Sequence, residues 1–243
     1  MKVVDPVSMD EIDSKIKHRE WSLFFTLTLL ILSVYIVFLA IASELSYSVQ
    51  QHTSYTGVPL KILFGVAALY YSRATGRKLH QLGVNIRGWR RAVGESLVVT
   101  IFFLFGLTLL KLWIIQREPE FSGPLFEYQY LYHWHGSNRY ILFTTVYACF
   151  VFVQQLVVNG VIQGELTRLI SFKRAPWWAI FISGTLYVIT HVHLSLFFAG
   201  VLIIPALVWG WLYYRHQTLV GITLSHLIVG VYLFYILGID FLR

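Results

Sequence analysis

The side chains best placed for chemistry are two histidines and a run of amides, all set in apolar stretches. His191 and His226 lie in two such stretches, and Gln154, Gln155 and Asn159 lie in a third. Ionisable and amide groups are costly in hydrocarbon, so they normally face a cavity or a partner group. Gln155 and Asn159 are four residues apart and share one face of a helix. Amides so placed serve a reactive site or, equally well, bond one transmembrane helix to the next. His191 and His193 are two residues apart and cannot share a helical face. A metal site from that pair alone is therefore not expected, and His193 reads as an interfacial residue. His226 follows Ser225 and matters chemically only where it meets His191 in space.

Other candidates are weaker. Glu165 and Arg168, three residues apart, read as a local ion pair rather than as catalytic groups. Glu95 is an acid beside a basic cluster with no evident role. His133 and His135 flank Trp134, a poor metal site. Ser195 lies near His193, but no strand–turn–helix setting supports a serine nucleophile. The sequence has no Gly-rich phosphate loop, no His-Glu-x-x-His and no Cys-x-x-Cys. Its single cysteine, Cys149, excludes an internal disulfide framework. No cofactor and no metal are expected.

Transmembrane helices must position these groups. Hydrophobic residues make up 57% of the 243 and charged residues 13%, against about 45–50% and about 25% in soluble domains. Several apolar runs are long enough to cross a hydrocarbon layer of about 30 Å. The expected spans are 21–43, 58–72, 92–115, 140–170, 177–197, 200–214 and 218–240. The first run is too long for a signal-peptide core and lacks a small-residue cleavage site. The fold class is thus an all-α polytopic membrane bundle of seven or eight helices. Residues 1–20 form a polar cytoplasmic tail and 21–243 one transmembrane domain.

The net charge of +7 follows topology and does not point to nucleic acid. Of nineteen Lys and Arg, fourteen fall on one side of a seven-span chain: the N-terminal tail, segment 73–91, Arg168, Lys173, Arg174 and Arg215. Lys61, Lys111, Arg117, Arg139 and Arg243 make up the rest. Basic residues favour the cytoplasmic side, so the N-terminus is expected inside, in the plasma (inner) membrane of a prokaryote. The aromatic segment 116–139 is expected at the opposite interface.

From about 140 to 235 the sequence resembles the CPBP family of intramembrane proteases, also called the ABI or CAAX-protease-like family. The resemblance rests on Tyr187–His191 as an aromatic-x-x-x-His motif, on Gly210-Trp-Leu-Tyr-Tyr-Arg215, and on His226 in the last span. Segment 82–89 also resembles a family loop. The family's first motif, Glu-Glu-x-x-x-Arg, aligns with Gln154-Gln155-Leu156-Val157-Val158-Asn159. In the family a glutamate activates water and the histidines orient or polarise it, with or without a metal. The resemblance therefore marks Gln154, Gln155, Asn159, His191 and His226 as the catalytic positions. A glutamine has nearly the shape of glutamate but no carboxylate to act as general base. Gly230 stands where the family carries Asn or Asp, four residues after His226.

These departures fit together. Losing only the acids would strand a buried guanidinium, whereas Gln, Gln and Asn leave the site neutral. The expected function is a catalytically inactive homologue that acts as a membrane scaffold or regulator. Its expected partners are the lipid bilayer and another membrane protein or peptide in the core cavity. One alternative is an active intramembrane endopeptidase, CAAX-type or peptide-processing, with a rearranged site using Glu165. That residue is ten positions from Gln155, about 15 Å along a helix. A second alternative is a small transporter or channel, against which stand the short chain and the absence of a repeat.

Overall fold

The apolar runs fold into helices because backbone N–H and C=O groups in hydrocarbon must bond within their own segment. The computed structural model describes residues 9–44, 57–117, 124–126, 138–170, 172–192 and 195–238. Its helices are α1 (Met9–Glu44), α2 (Gly57–Ala74), α3 (Trp89–Arg117), α4 (Asn138–Gln155), α5 (Gly164–Leu169), α6 (Ala175–Ile189), α7 (Leu196–Val201), α8 (Ile203–His216) and α9 (Val220–Val231). A π-helical segment, Leu156–Gln163, joins α4 to α5, and a second, Tyr232–Ile236, extends α9. No strand occurs among the described residues. Among the described residues four helical stretches are long and apolar enough to span a membrane: Ile16–Val37, Trp89–Arg117, Thr144–Leu169 and Leu196–His216. Ile62–Ala74, Ala175–Ile189 and Val220–Ile236 are shorter apolar helices. The chain is an all-α helical membrane bundle.

Three local features depart from a simple series of straight spans. First, α1 begins at Met9, so the helix extends outward past the apolar run that starts near residue 21. Second, the expected span 177–197 stops at Ile189. The Thr190 hydroxyl donates to the Tyr187 carbonyl at 2.7 Å, and His191 Nδ1 meets the same oxygen at 2.9 Å. These side chains take the acceptor that the His191 N–H would need to continue the α-helix. That N–H bonds the Val188 carbonyl instead, at 2.9 Å. Third, the expected span 200–214 is a helix running from Leu196 and interrupted at Leu202. Pro205 has no N–H to offer the Val201 carbonyl, which accounts for the break. Ser195 caps its start by accepting from the Phe198 N–H at 3.0 Å.

The parallel pair α3 and α9 forms one wall. At one end a Cβ on Gly221 would lie 2.5 Å from the Ala92 carbonyl oxygen, so the backbones touch there. Next come a Thr100–Ser225 hydroxyl contact of 2.7 Å and a Thr108–Tyr232 contact of 2.6 Å. At the far end the buried Lys111 amine donates to the Leu237 carbonyl, a cation at a helix C-terminus.

The opposite end gathers the basic loops. A 3₁₀ turn, Leu79–Leu82, packs so closely on the π segment that a Cβ on Gly160 would lie 2.5 Å from the Leu82 oxygen. Gly83 follows with φ of 85°, where a side chain would also strike the Tyr213 ring. The Gly83 carbonyl accepts the Leu219 N–H at 2.9 Å, and Asn85 Nδ2 donates to the Gln217 carbonyl at 2.9 Å. Glu95, unexplained by sequence alone, receives Arg91 at 3.0 Å, Arg215 at 2.9 Å and His216 at 3.0 Å.

Candidate functional site

The site is built from the last turn of α4, the turn after α6 and the middle of α9. Gln154 and Gln155 are the final two residues before the backbone widens into the π segment. The Gly164 N–H reaches back five residues to the Asn159 carbonyl. Such π turns are rare and concentrate at functional sites. Gln155 and Asn159 are buried, and Asn159 Nδ2 donates to Gln155 Oε1.

With its oxygen engaged, Gln155 turns its Nε2 toward His226 Nδ1, 2.9 Å away. An amide nitrogen only donates, so Nδ1 is the acceptor and the neutral ring carries its proton on Nε2. That Nε2–H points at the Tyr187 hydroxyl, 3.3 Å away. His191 has the other tautomer. Its Nδ1 faces the Tyr187 carbonyl, which only accepts, so Nδ1 carries the proton. Nε2 then accepts from Gln154 Nε2 at 3.3 Å. Tyr187 joins the histidines: its backbone oxygen holds one ring and its hydroxyl the other.

Aromatic packing fixes both imidazoles. Trp209 stacks on His226, with ring centroids 4.6 Å apart and planes inclined by 21°. Tyr187 lies 4.6 Å from His191 and meets Trp209 edge-on at 6.1 Å. Trp209 is pinned in turn by its Nε1–H, which donates to Ser225 Oγ at 2.9 Å. Gln155, Asn159, Tyr187 and His226 are buried, whereas Gln154 and His191 are partly open. The open side of the site therefore lies by the turn after α6. Tyr35 on α1 steadies that turn by donating to the Ile189 carbonyl at 3.1 Å.

Gly230 sits one helical turn beyond His226. A Cβ built there would run into the Tyr147 hydroxyl and lie 2.8 Å from Tyr147 Cζ. The phenol from α4 fills the volume that a side chain at 230 would need. Sequence reading missed Tyr147, Trp209 and Thr100. Only the glycine at 230 signalled a replacement, and it could not say which residue fills the gap.

The structure thus brings Gln154, Gln155, Asn159, His191 and His226 into one network. His193 lies outside the described residues, as do His133 and His135 and most of the aromatic segment 116–139; Phe126 of that segment packs against the core. Glu165 is buried in a separate charge cluster. It binds Arg168 at 2.6 Å and Arg77 at 3.1 Å, while Arg168 also binds Glu20 at 2.6 Å. Those four residues join α1, α5 and the loop after α2. The donor set of the histidine site is a poor fit for a divalent cation. It offers imidazoles whose nitrogens are committed to amide, carbonyl and hydroxyl groups, together with neutral amides. Among the described residues no group of three His, Cys, Asp or Glu side chains is placed to hold a metal ion.

Residues 130–232, under half of the 243, match the family model described as type II CAAX prenyl endopeptidase Rce1-like. No curated protein and no solved structure matches the chain. The matched stretch contains every residue of the network just described. Over that stretch the chain is similar to the CAAX-protease-like family, and its long apolar helices are those of an integral membrane protein.

Proposed function

We propose that this chain is a catalytically inactive CAAX-protease-like protein that acts as a membrane scaffold or regulator by binding another membrane protein or peptide. One observation carries the reading: the side chain bonded to His226 Nδ1 at 2.9 Å is the amide of Gln155. A carboxylate there would take a proton from water and pass it on. An amide has no basic lone pair near neutral pH, and removing a positioned base typically lowers a rate about 10²–10⁴-fold. The Asn159 bond to Gln155 supports the same reading, because it stabilises a neutral pair where the family has an anion and a cation.

The alternative of an active endopeptidase using Glu165 loses support. That carboxylate is bound to two guanidiniums, whereas Gln155 and Asn159 bond within the histidine network. The partner and the plasma-membrane placement with an inner N-terminus belong to the proposal. The orientation rests on the gathering of basic loops at one end.

The test compares native-host cells carrying wild type, a deletion, and the His191→Ala/His226→Ala double variant at equal expression. Mass spectrometry reads membrane-protein termini and co-purifying partners. The proposal expects unchanged termini in all three, and a membrane partner whose abundance falls only in the deletion. Specific termini that vanish in both the deletion and the double variant would establish proteolysis and overturn it.

A further inference from the structure

The end of the bundle that carries residues 73–91, 165–174 and 215–219 has more cations than its acids can neutralise. Glu165 and Glu20 engage Arg77 and Arg168, and Glu95 engages Arg91, Arg215 and His216. Six cations are left: Arg73, Lys78, Arg87, Arg90, Lys173 and Arg174. All six are exposed, and none has a carboxylate partner among the described residues. Contacts hold their segments at one level of the fold. Arg77 ties the loop after α2 to α5, Leu82 lies on the π segment, and Asn85 is bonded to the turn after α8.

Exposed apolar side chains sit among these cations. Ile86 is 76% exposed and Trp177 62%; Trp89 and Trp178 are exposed as well. The Arg90 guanidinium lies 5.7 Å over the Trp89 ring. A site for a small soluble anion gains nothing from large aliphatic and indole groups at its rim, and Ile86 offers no ring for a nucleic-acid base to stack on. A lipid headgroup region does: indole rings favour that depth, and cations there meet phosphate. Immediately beyond the rim, α3 presents Val98 and Ile101, both exposed and apolar, as a wall for acyl chains.

We propose that this end of the bundle is a binding surface for anionic phospholipid headgroups, held by Arg73, Lys78, Arg87, Arg90, Lys173 and Arg174 and bracketed by Ile86, Trp89, Trp177 and Trp178. It stands on different observations from the reading of the histidine site and survives if that reading fails. Each Lys or Arg at an anionic surface contributes roughly a fivefold preference. A headgroup that engages one or two of the six is therefore favoured about five- to twenty-five-fold over a zwitterionic one.

The experiment uses the purified full-length chain in detergent, offered equal amounts of phosphatidylglycerol and phosphatidylcholine. Native mass spectrometry counts the bound lipids. Wild type should retain the anionic lipid at least about fivefold more. The Arg87→Gln/Arg90→Gln/Lys173→Gln/Arg174→Gln variant should lose most of that preference. Arg117→Gln, at the other end of α3, should keep it, as should the charge-conserving Arg87→Lys/Arg90→Lys/Arg174→Lys variant. The lysine variant also guards against misreading a folding defect as lost binding. Equal retention of both lipids by wild type overturns the proposal, and so does a quadruple variant that matches wild type. Displacement of phosphatidylglycerol by equimolar glycerol phosphate overturns it too, because the surface would then be a site for soluble anions.

Discussion

Gly230→Ala is the perturbation that most directly tests how Tyr147 packs against position 230. Two effects of known sign compete. Alanine in a helix interior is favoured over glycine by about 1 kcal/mol. Against that, the new Cβ would run into the Tyr147 hydroxyl and lie 2.8 Å from its Cζ. Forcing a methyl into a filled space costs about 1–3 kcal/mol. Gly230→Ala alone should therefore destabilise by up to about 2 kcal/mol. Tyr147→Ala alone should destabilise by about 2 kcal/mol, below the fully buried range because Tyr147 is only partly buried. In the Tyr147→Ala background the obstruction is gone, and Gly230→Ala should stabilise by about 1 kcal/mol. The cycle should then close with a coupling of about 1–3 kcal/mol. Reversible unfolding in mixed micelles, followed by tryptophan emission, measures all four corners. If Gly230→Ala has the same effect in both backgrounds, the phenol does not occupy that space and the account of position 230 is wrong.

Gln155→Glu alone should restore no endopeptidase activity on a prenylated peptide. It should move the proton of His226 from Nε2 to Nδ1, because a carboxylate at 155 accepts where the amide donates; an unchanged ¹⁵N spectrum of His226 would show that the Gln155 bond does not set the tautomer. Glu165→Gln should destabilise by about 2 kcal/mol, less than a fully buried pair because Arg168 keeps Glu20 and part of its solvent; an unchanged midpoint in thermal unfolding would mean that the cluster is not holding α1 to α5. Ser225→Ala leaves the buried Trp209 Nε1–H without its acceptor and should cost about 1–3 kcal/mol, read as a shifted Trp209 emission together with a lowered midpoint.

The parts of the fold legible from sequence are those governed by the bilayer alone. Apolar runs had to be helices, and the basic residues had to collect at one end. The Glu165–Arg168 pair also followed from spacing. What sequence spacing could not show are places where side chains compete with the backbone. The end of α6 at Ile189 depends on Thr190 and His191 both seizing the Tyr187 carbonyl, and apolar periodicity carries no trace of that. The same ending voids the helical-face argument about His191 and His193, since His191 is in a turn. The π segment is likewise invisible in composition. At the site, Gln155 and Asn159 were paired correctly by their spacing, but their bond to His226 joins residues 71 positions apart.

Both histidines have structural roles that their position in hydrocarbon alone does not reveal. In this structure each has a mechanical task. His226 receives a bond from α4, gives one to α6 and lies stacked under Trp209 of α8. His191 closes the end of α6 and accepts from Gln154 of α4. Replacing His226 would leave the buried Gln155 amide without its acceptor, at about 1–3 kcal/mol. Packing and hydrogen bonding thus give both imidazoles a structural role. On the proposed reading, the group that decides the chemistry is the one that meets His226 Nδ1, here the Gln155 amide. A carboxylate there would reverse the proton polarity of the chain through His226 to the Tyr187 hydroxyl. Such a reversal would leave an anion beside Asn159, which supplies one neutral donor where a guanidinium supplies a charge. Gln155 and Asn159 are stable as a neutral pair, and each makes a single charge at the other unfavourable.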